Sequence, residues 1–182
     1  MLLWNDQGFI PPIGTSPTSR DRSPYKISLL DFYKRFAAIS PERKSLLNGL
    51  IDFRSELHSL GITEGFQWID GSFLEDIEKI ENRPPNDIDT VIFVEQYNTD
   101  NIEAVYSFFN DKDNIRTRFN VDSYHVWMNE LSPRQLIDTS LYWYSMWSHT
   151  RNQQWKGFVQ IDLNTAENQQ LSAYLKGGSN EI

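Results

Sequence analysis

The amino-acid sequence predicts an α/β (α+β) fold in which a mixed sheet of about four strands is flanked by helices. Short segments rich in β-branched and aromatic residues alternate with longer segments in which apolar residues recur at helical spacing. The resulting order, α-β-α-β-α-β-α-β-α, is typical of a sheet with helices packed on it. The sequence shows neither an internal repeat nor a low-complexity tract.

The N-terminal segment is predicted to be irregular. Residues 8–24 contain four prolines, two glycines and several serines and threonines, a composition that disfavours regular structure. The chain is therefore predicted to divide into a Pro-rich N-terminal arm, residues 1–27, and one folded domain, residues 28–182.

Capping residues predict where the first two helices begin. Ser28 and Asp31 resemble a capping box that opens a short helix through about residue 38. Ser40 followed by Pro41 is an N-cap with proline at the first helical position. The second helix is predicted to end at Gly61 and carries leucines at helical spacing: Leu46, Leu47, Leu50, Leu57 and Leu60.

The later elements follow from changes of period and from further caps. Thr99 is a predicted cap, and Ser132 with Gln135 forms a capping box around Pro133. The predicted elements are a strand at 66–70, a short helix at 73–80, a strand at 88–94, a helix at 100–110, a strand at 119–126, a helix from 133 through about 149, a strand at 158–163 and a helix at 165–175.

Composition and charge exclude several classes of protein. Hydrophobic residues at 39% and aromatic residues at 14% are enough for a packed core in one domain. The absence of cysteine excludes thiolate metal sites and fits a cytoplasmic protein. No apolar run approaches the roughly 20 residues of a membrane span, and the start lacks the pattern of a secretory signal. The net charge of -8 disfavours a protein that coats duplex DNA.

The chemistry is predicted to lie around two carboxylates. Asp87 and Asp89 are two residues apart on a predicted strand, so their side chains point to the same face. They repel each other unless a cation lies between them, and hard oxygen ligands suit Mg²⁺ or Mn²⁺. Gly71 and Ser72 precede them at a strand end, where glycine permits close approach of a phosphate and the serine hydroxyl adds a donor.

Each of these motifs alone has an ordinary structural explanation. An acid-x-acid pair is common on solvated surfaces, and Gly71-Ser72 could be only a turn. The two motifs occur here in this order, and the strongly apolar segment 88–94 follows. That combination favours a functional site on a central strand.

The segments Trp68-Ile69-Asp70-Gly71-Ser72-Phe73 and Pro85-Asn86-Asp87-Ile88-Asp89-Thr90-Val91-Ile92 resemble the signature of the DNA polymerase β-type nucleotidyltransferase superfamily. In that signature a hydrophobic residue, Gly, and Gly or Ser precede a spacer and an acid-hydrophobic-acid triplet. The spacer here, residues 73–86, is slightly longer than usual. The chain also resembles a small bacterial family of uncharacterised nucleotidyltransferase-like proteins, whose N-terminal arm corresponds to Pro11-Pro12-Ile13-Gly14.

The resemblance implies metal-dependent transfer of a nucleotidyl group from a nucleoside triphosphate, expected to be ATP, to a protein or RNA acceptor. It also implies a toxin–antitoxin or phage-defence setting. The superfamily pattern calls for a third carboxylate on a later strand, which we assign to Asp122, with Asp162 as the alternative. Asp87, Asp89 and Asp122 are then the expected metal ligands and catalytic residues. Lys156 is an expected phosphate contact beside Gly71 and Ser72, and no Walker-type P-loop occurs.

Several other residues have open interpretations. Arg116, Arg118 and Arg151 are candidates for triphosphate contacts by charge alone, and His58, His125 and His149 are interpreted as structural or surface residues. Core packing is the favoured interpretation of the aromatic helix, and a base-stacking wall or partner surface is the alternative. That helix contains Tyr142, Trp143, Tyr144 and Trp147. The second functional hypothesis is a non-catalytic protein of the same fold that neutralises or scaffolds a partner through this helix and the arm.

Overall fold

The computed structural model describes residues 4–14, 16 and 18–177, which form a five-stranded mixed sheet with helices around it. The strands are β1 (Tyr25–Lys26), β2 (Glu64–Asp70), β3 (Ile88–Gln96), β4 (Val121–Trp127) and β5 (Val159–Asp162). The α-helices are α1 (Leu29–Phe32), α2 (Pro41–Ser59), α3 (Ile77–Glu81), α4 (Ile102–Asn110), α5 (Lys112–Phe119), α6 (Pro133–Trp147) and α7 (Thr165–Gly177). Tyr33–Ala37 is π-helical, and Ser72–Leu74 and Met128–Glu130 are 3₁₀ turns.

The sheet order is β1-β5-β2-β3-β4. β3 pairs antiparallel with β2 and parallel with β4, and β5 pairs antiparallel with β2 and parallel with β1. The predicted α/β class is confirmed, but the sheet has five strands rather than about four. The additional strand, β1, is two residues long, and two residues are too few to show the alternation that predicts a strand.

The predicted helix starts at Ser40 and Ser132 are confirmed. The Ser40 side chain accepts a hydrogen bond from the Arg43 backbone amide. Ser132 and Gln135 form the reciprocal capping box that the sequence predicted. Local side-chain chemistry therefore determines both starts.

The region between β3 and β4 differs from the prediction. α4 is capped by Asn101 rather than Thr99, and a separate helix, α5, lies between α4 and β4. α5 was not predicted because its buried apolar residues are only Ile115 and Phe119 in an otherwise polar segment. Asn120 adopts a left-handed conformation after α5, so the strand begins at residue 121 rather than 119.

The N-terminal arm packs against the domain. The described residues of 8–24 contain no helix or strand, as the composition predicted. Ile10 is buried in the core, and its carbonyl accepts a hydrogen bond of 2.7 Å from the Gly157 amide. Trp4 Nε1 donates to the Leu74 carbonyl at 2.6 Å. The arm thus joins the segment after β2 to the segment before β5.

Within residues 4–14, 16 and 18–177, no helix combines the length and the apolar character that crossing a membrane requires.

Candidate functional site

Three adjacent strands bring three aspartates side by side. The Cα of Asp89 on β3 is in register with that of Asp70 on β2 and with that of Asp122 on β4. Side chains at directly opposed positions share a face of the sheet, and Asp87, two residues before Asp89, follows the same alternation. The sheet register therefore gathers four carboxylates at one end of the sheet. We call these four, Asp70, Asp87, Asp89 and Asp122, the acid group.

Asp89 experiences the strongest electrostatic effect in this group. Burial and then the negative charges of Asp87, Asp70 and Asp122 raise its pKa to about 7, against the opposing effect of Lys156. Each ionised neighbour makes the ionisation of Asp89 less favourable. A bound cation would relieve this repulsion, so the charge distribution suits a positive ligand.

A buried ion pair connects the acid group to Lys156. Lys156 Nζ donates to Asp70 Oδ1 at 2.7 Å and to Glu75 Oε1 at 3.2 Å. Burial lowers the pKa of Lys156, but the two carboxylates outweigh burial and raise it, so the lysine is a cation. Burial raises the pKa of Asp70 to about 6 even with Lys156 beside it. The sequence prediction named Lys156 but missed Asp70 and Glu75 as its partners.

The structure places a constraint on Gly71 besides the phosphate approach that the sequence suggested. Its φ is +77°, and a Cβ atom placed there would lie 1.7 Å from Asp89 Oδ2. Glycine is therefore required by the close approach of Asp89 as well as by the backbone conformation. Ser72 opens a 3₁₀ turn of three residues rather than the predicted helix at 73–80, which here begins only at Ile77. A turn of three residues has a much smaller dipole than the predicted helix at 73–80 would have.

Arg43 on α2 holds this turn through hydrogen bonds to its backbone. Its guanidinium donates to the carbonyls of Phe73 and Glu75, each at 2.7 Å, and binds both carboxylate oxygens of Glu78 at 2.7 Å. Arg43 is fully buried. One signal could have found it, since position 43 lies on the same helical stripe as Leu46, Leu47 and Leu50.

A cleft of about 760 Å³ opens over the carboxylates. All six residues predicted for the site line it, as do two of the candidate arginines, Arg116 and Arg151. The six are Gly71, Ser72, Asp87, Asp89, Asp122 and Lys156. The cleft also contains Arg83, which the sequence prediction missed, and His149, which it assigned to structure or surface. Carboxylates and arginines occur together in the lining, a combination that suits an anionic ligand that brings its own cations.

Two predicted candidates lie elsewhere. Asp162 is exposed, and its Cα is in register with that of Phe66, four residues before Asp70 on β2. Arg118 pairs with Glu56 at 2.9 Å outside the cleft. Strand order thus separates the two alternatives for a third carboxylate, because only Asp122 is a neighbour of Asp89.

Asp87 already has a cationic partner. Arg116 Nη2 donates to Asp87 Oδ2 at 2.8 Å, and the arginine side chain is 63% exposed whereas that of Asp87 is 15% exposed. Among the described residues, no group of three His, Asp or Glu side chains is arranged to hold a metal ion. The carboxylates of Asp87, Asp89 and Asp122 fit Mg²⁺ or Mn²⁺ by donor type, but Asp87 Oδ2 is engaged by Arg116, so the arginine competes with a metal ion for this carboxylate.

The aromatic helix α6 is divided between core and surface. Trp143 and Trp147 are buried, which agrees with core packing, and Tyr144 is half-buried. Tyr142 is exposed. The other exposed apolar side chains of this helix are Ile137, Leu141 and Met146. Met146 and Trp147 also line the cleft, so α6 forms one of its walls.

These features define the class of protein as a mixed α/β domain with a charged cleft at one end of its sheet. The chain belongs to a family of unknown function (DUF6932), whose model matches residues 2–162. The matched range contains all five strands and every residue of the cleft. A search of curated proteins and a search of solved structures each found no match.

Proposed function

We propose that the protein is a metal-dependent nucleotidyltransferase that moves a nucleotidyl group from a nucleoside triphosphate to a protein or RNA acceptor. The observation that supports this most directly is the register of Asp70, Asp89 and Asp122 on three adjacent strands, with Asp87 two residues before Asp89. The superfamily resemblance of Gly71-Ser72 and Asp87-Ile88-Asp89 led us to expect a third carboxylate on a later strand beside this pair, and Asp122 has that position; Asp70 was not part of that expectation.

In this proposal Asp87, Asp89 and Asp122 hold Mg²⁺ or Mn²⁺. When bound, such ions neutralise phosphate charge and stabilise the attacking and leaving oxygens of a displacement. The residues of the chain bind and orient the substrate. Ser72 offers a hydroxyl at the cleft floor, and Lys156 offers a buried cation that Asp70 and Glu75 hold in place.

The shape and lining of the cleft suit a nucleotide. Its volume of about 760 Å³ falls within the range of small-molecule sites, roughly 300–1,000 Å³. Apolar side chains provide surface for a base, with ATP as the expected triphosphate. These side chains are Phe9, Ile77, Ile80, Met146 and Trp147.

Transfer of label tests the proposal. The purified protein is incubated with each α-labelled triphosphate, Mg²⁺ or Mn²⁺, and a cell extract. We expect a protein or RNA band to acquire label with the wild type and not with the Asp87→Asn/Asp89→Asn double variant. Asp162→Asn is the matched control, because Asp162 is an exposed aspartate of the same sheet outside the cleft, and it should label normally.

Two outcomes would contradict the proposal. The first is the absence of label with any triphosphate. The second is equal labelling by the double variant. If Asp122→Asn and Asp162→Asn were equally active, the assignment of the third carboxylate would be wrong even if transfer itself occurred.

The setting proposed for this activity is the cytoplasm, in a toxin–antitoxin or phage-defence module. This part of the proposal rests on the superfamily resemblance alone.

One observation favours a second candidate function, a non-catalytic protein that binds a partner. Four apolar side chains of α6 are exposed: Ile137, Leu141, Tyr142 and Met146. Exposed apolar patches commonly mark interaction sites. Recovery of a stable complex through α6 together with failure to label any acceptor would favour this candidate over the enzyme.

A further inference from the structure

Two ion pairs on α5 have similar geometry but different surroundings. Arg116 pairs with Asp87 at 2.8 Å, and Arg118, two residues later, pairs with Glu56 at 2.9 Å. Both arginine side chains are more than half exposed, at 63% and 54%. Only the first pair lies in the cleft, and only its carboxylate belongs to the acid group.

Arg116 and a divalent cation would compete for the Asp87 carboxylate. A carboxylate oxygen at 2.8 Å from a guanidinium is engaged in a charge-assisted hydrogen bond. A cation at the same carboxylate would repel the arginine, which is exposed and free to move toward solvent or toward a nearby anion. In the proposed reaction the nearest new anion is the triphosphate.

We propose that Arg116 is a positioning residue that exchanges partners. Without substrate it neutralises Asp87, and when a metal–triphosphate complex enters the cleft it releases Asp87 and binds the phosphates. This inference rests on the proposed function. If this exchange occurs, Arg116 lowers the affinity for the metal ion when no nucleotide is present. It raises the affinity for the nucleotide when the metal ion is bound.

The other cations of the cleft are placed differently. Lys156 is buried and held by both Asp70 and Glu75, neither of which is an expected metal ligand. Arg83 pairs at 2.7 Å with Glu81, which is not an expected metal ligand. Among the described residues of the cleft, Arg116 is the cation that forms an ion pair with an expected metal ligand, so the exchange is assigned to it.

The experiment measures two affinities in three proteins. Calorimetry gives the affinity for Mn²⁺ alone and the affinity for a non-hydrolysable α,β-methylene ATP analogue in saturating Mn²⁺. The proteins are wild type, Arg116→Gln and Arg118→Gln, with circular dichroism to show that each is folded. Arg118→Gln is the matched control, because it removes an ion pair of a similarly exposed arginine from the same helix outside the cleft.

Opposite effects are expected for Arg116→Gln. Affinity for Mn²⁺ alone should rise about two- to fivefold, since an exposed ion pair that competes for Asp87 is lost. Affinity for the analogue should fall about tenfold, since a charge-assisted contact to phosphate is lost. Arg118→Gln should change neither, and Arg116→Lys should restore part of the analogue affinity.

The outcomes separate this inference from the proposed function. Wild-type affinities in Arg116→Gln, while the wild type binds the analogue, would overturn the exchange and leave the nucleotidyltransferase proposal standing. A wild type that binds neither Mn²⁺ nor the analogue would overturn both. A fall in both affinities would also overturn the exchange, because it would make Arg116 a support for the metal site.

Discussion

Gly71 shows at the scale of one residue how backbone conformation and carboxylate placement depend on each other. Replacing it with alanine would impose a strained positive φ and place a Cβ 1.7 Å from Asp89 Oδ2. The expected cost is about 1–3 kcal/mol in the free energy of unfolding. We also expect weaker Mn²⁺ binding, because the Asp89 carboxylate must move.

Urea unfolding and Mn²⁺ calorimetry measure the two effects of Gly71→Ala. Gly177→Ala is the control, because no atom lies within 4 Å of a Cβ placed there. A Gly71→Ala protein with the stability and Mn²⁺ affinity of that control would show that the contact with Asp89 has no consequence.

Asp89 should make stability depend on pH in a characteristic direction. Its pKa is raised from 3.8 to about 7 in the folded protein, chiefly by burial and then by neighbouring carboxylates. The folded state therefore holds more protons than the unfolded state between these values, and the free energy of unfolding falls as pH rises from about 4 to about 7. Above about pH 7 this contribution is lost completely.

The comparison with Asp89→Asn isolates this effect. His58 and His125 have lowered pKa values and act in the opposite direction, since burial favours their neutral forms as pH rises. Urea unfolding without divalent cations at pH 5 and pH 8 should show that Asp89→Asn gains stability relative to wild type at the higher pH. Parallel pH profiles for the two proteins would contradict the raised pKa.

Arg43 organises the site at the scale of an element. It joins α2 to the 3₁₀ turn and to α3, and its replacement by leucine leaves the Phe73 and Glu75 carbonyls without their donor. Each buried carbonyl left without a donor costs about 1–3 kcal/mol, whereas Glu78, whose side chain is 37% exposed, can be solvated when its partner is lost. We expect a loss of this order in the free energy of unfolding and faster amide exchange in residues 71–78.

Hydrogen exchange by mass spectrometry and urea unfolding check this prediction. Arg118→Leu is the matched control, since its partner Glu56 is on the surface and such pairs are worth about 0–1 kcal/mol. Unchanged exchange in residues 71–78 of Arg43→Leu would show that the turn is held by other contacts.

The sequence predicted those elements that are marked by capping residues or by a hydrophobic period within a short stretch of the chain. The Ser40 and Ser132 caps were found because a cap and its bonding partner lie three residues apart. β1 and α5 were missed because one is too short and the other too polar to show a period. Arg43 and Arg54 are both fully buried, and Arg54 donates to Gln67 and to the Asp162 carbonyl. Both were missed, although they lie on the apolar stripe of α2, where a charged residue signals an internal network.

The site depends on the whole molecule, because its parts are distant in the sequence. The resemblance pointed to Asp87 and Asp89, but the register that places Asp122 beside Asp89 and leaves Asp162 beside Phe66 exists only in the folded sheet. The pair of Asp70 and Lys156 spans 86 residues. No local pattern predicts a contact at that separation, so the partners of Lys156 could be found only in the structure.

That long-range pair should behave as a coupled unit. Lys156→Met leaves Asp70 and Glu75 without their cation, and Asp70→Asn leaves Lys156 with Glu75 alone. Lys156→Met is expected to cost about 3 kcal/mol, because buried carboxylates lose their cation. Asp70→Asn should cost less, because Glu75 still pairs with Lys156. The double variant should cost clearly less than the sum, since removing both charges avoids that penalty.

A double-mutant cycle by urea unfolding at pH 8 measures this coupling. At that pH Asp70, whose pKa is about 6, is ionised in the wild type, so the full charge pair is present. The pH dependence adds a second check. In Lys156→Met the loss of the cation raises the pKa of Asp70 further, so this variant should recover stability at pH 5, where Asp70 takes up a proton. Additive costs at pH 8 and a constant deficit at pH 5 would show that Lys156 and Asp70 contribute independently and that Asp70 does not hold Lys156 in the cleft.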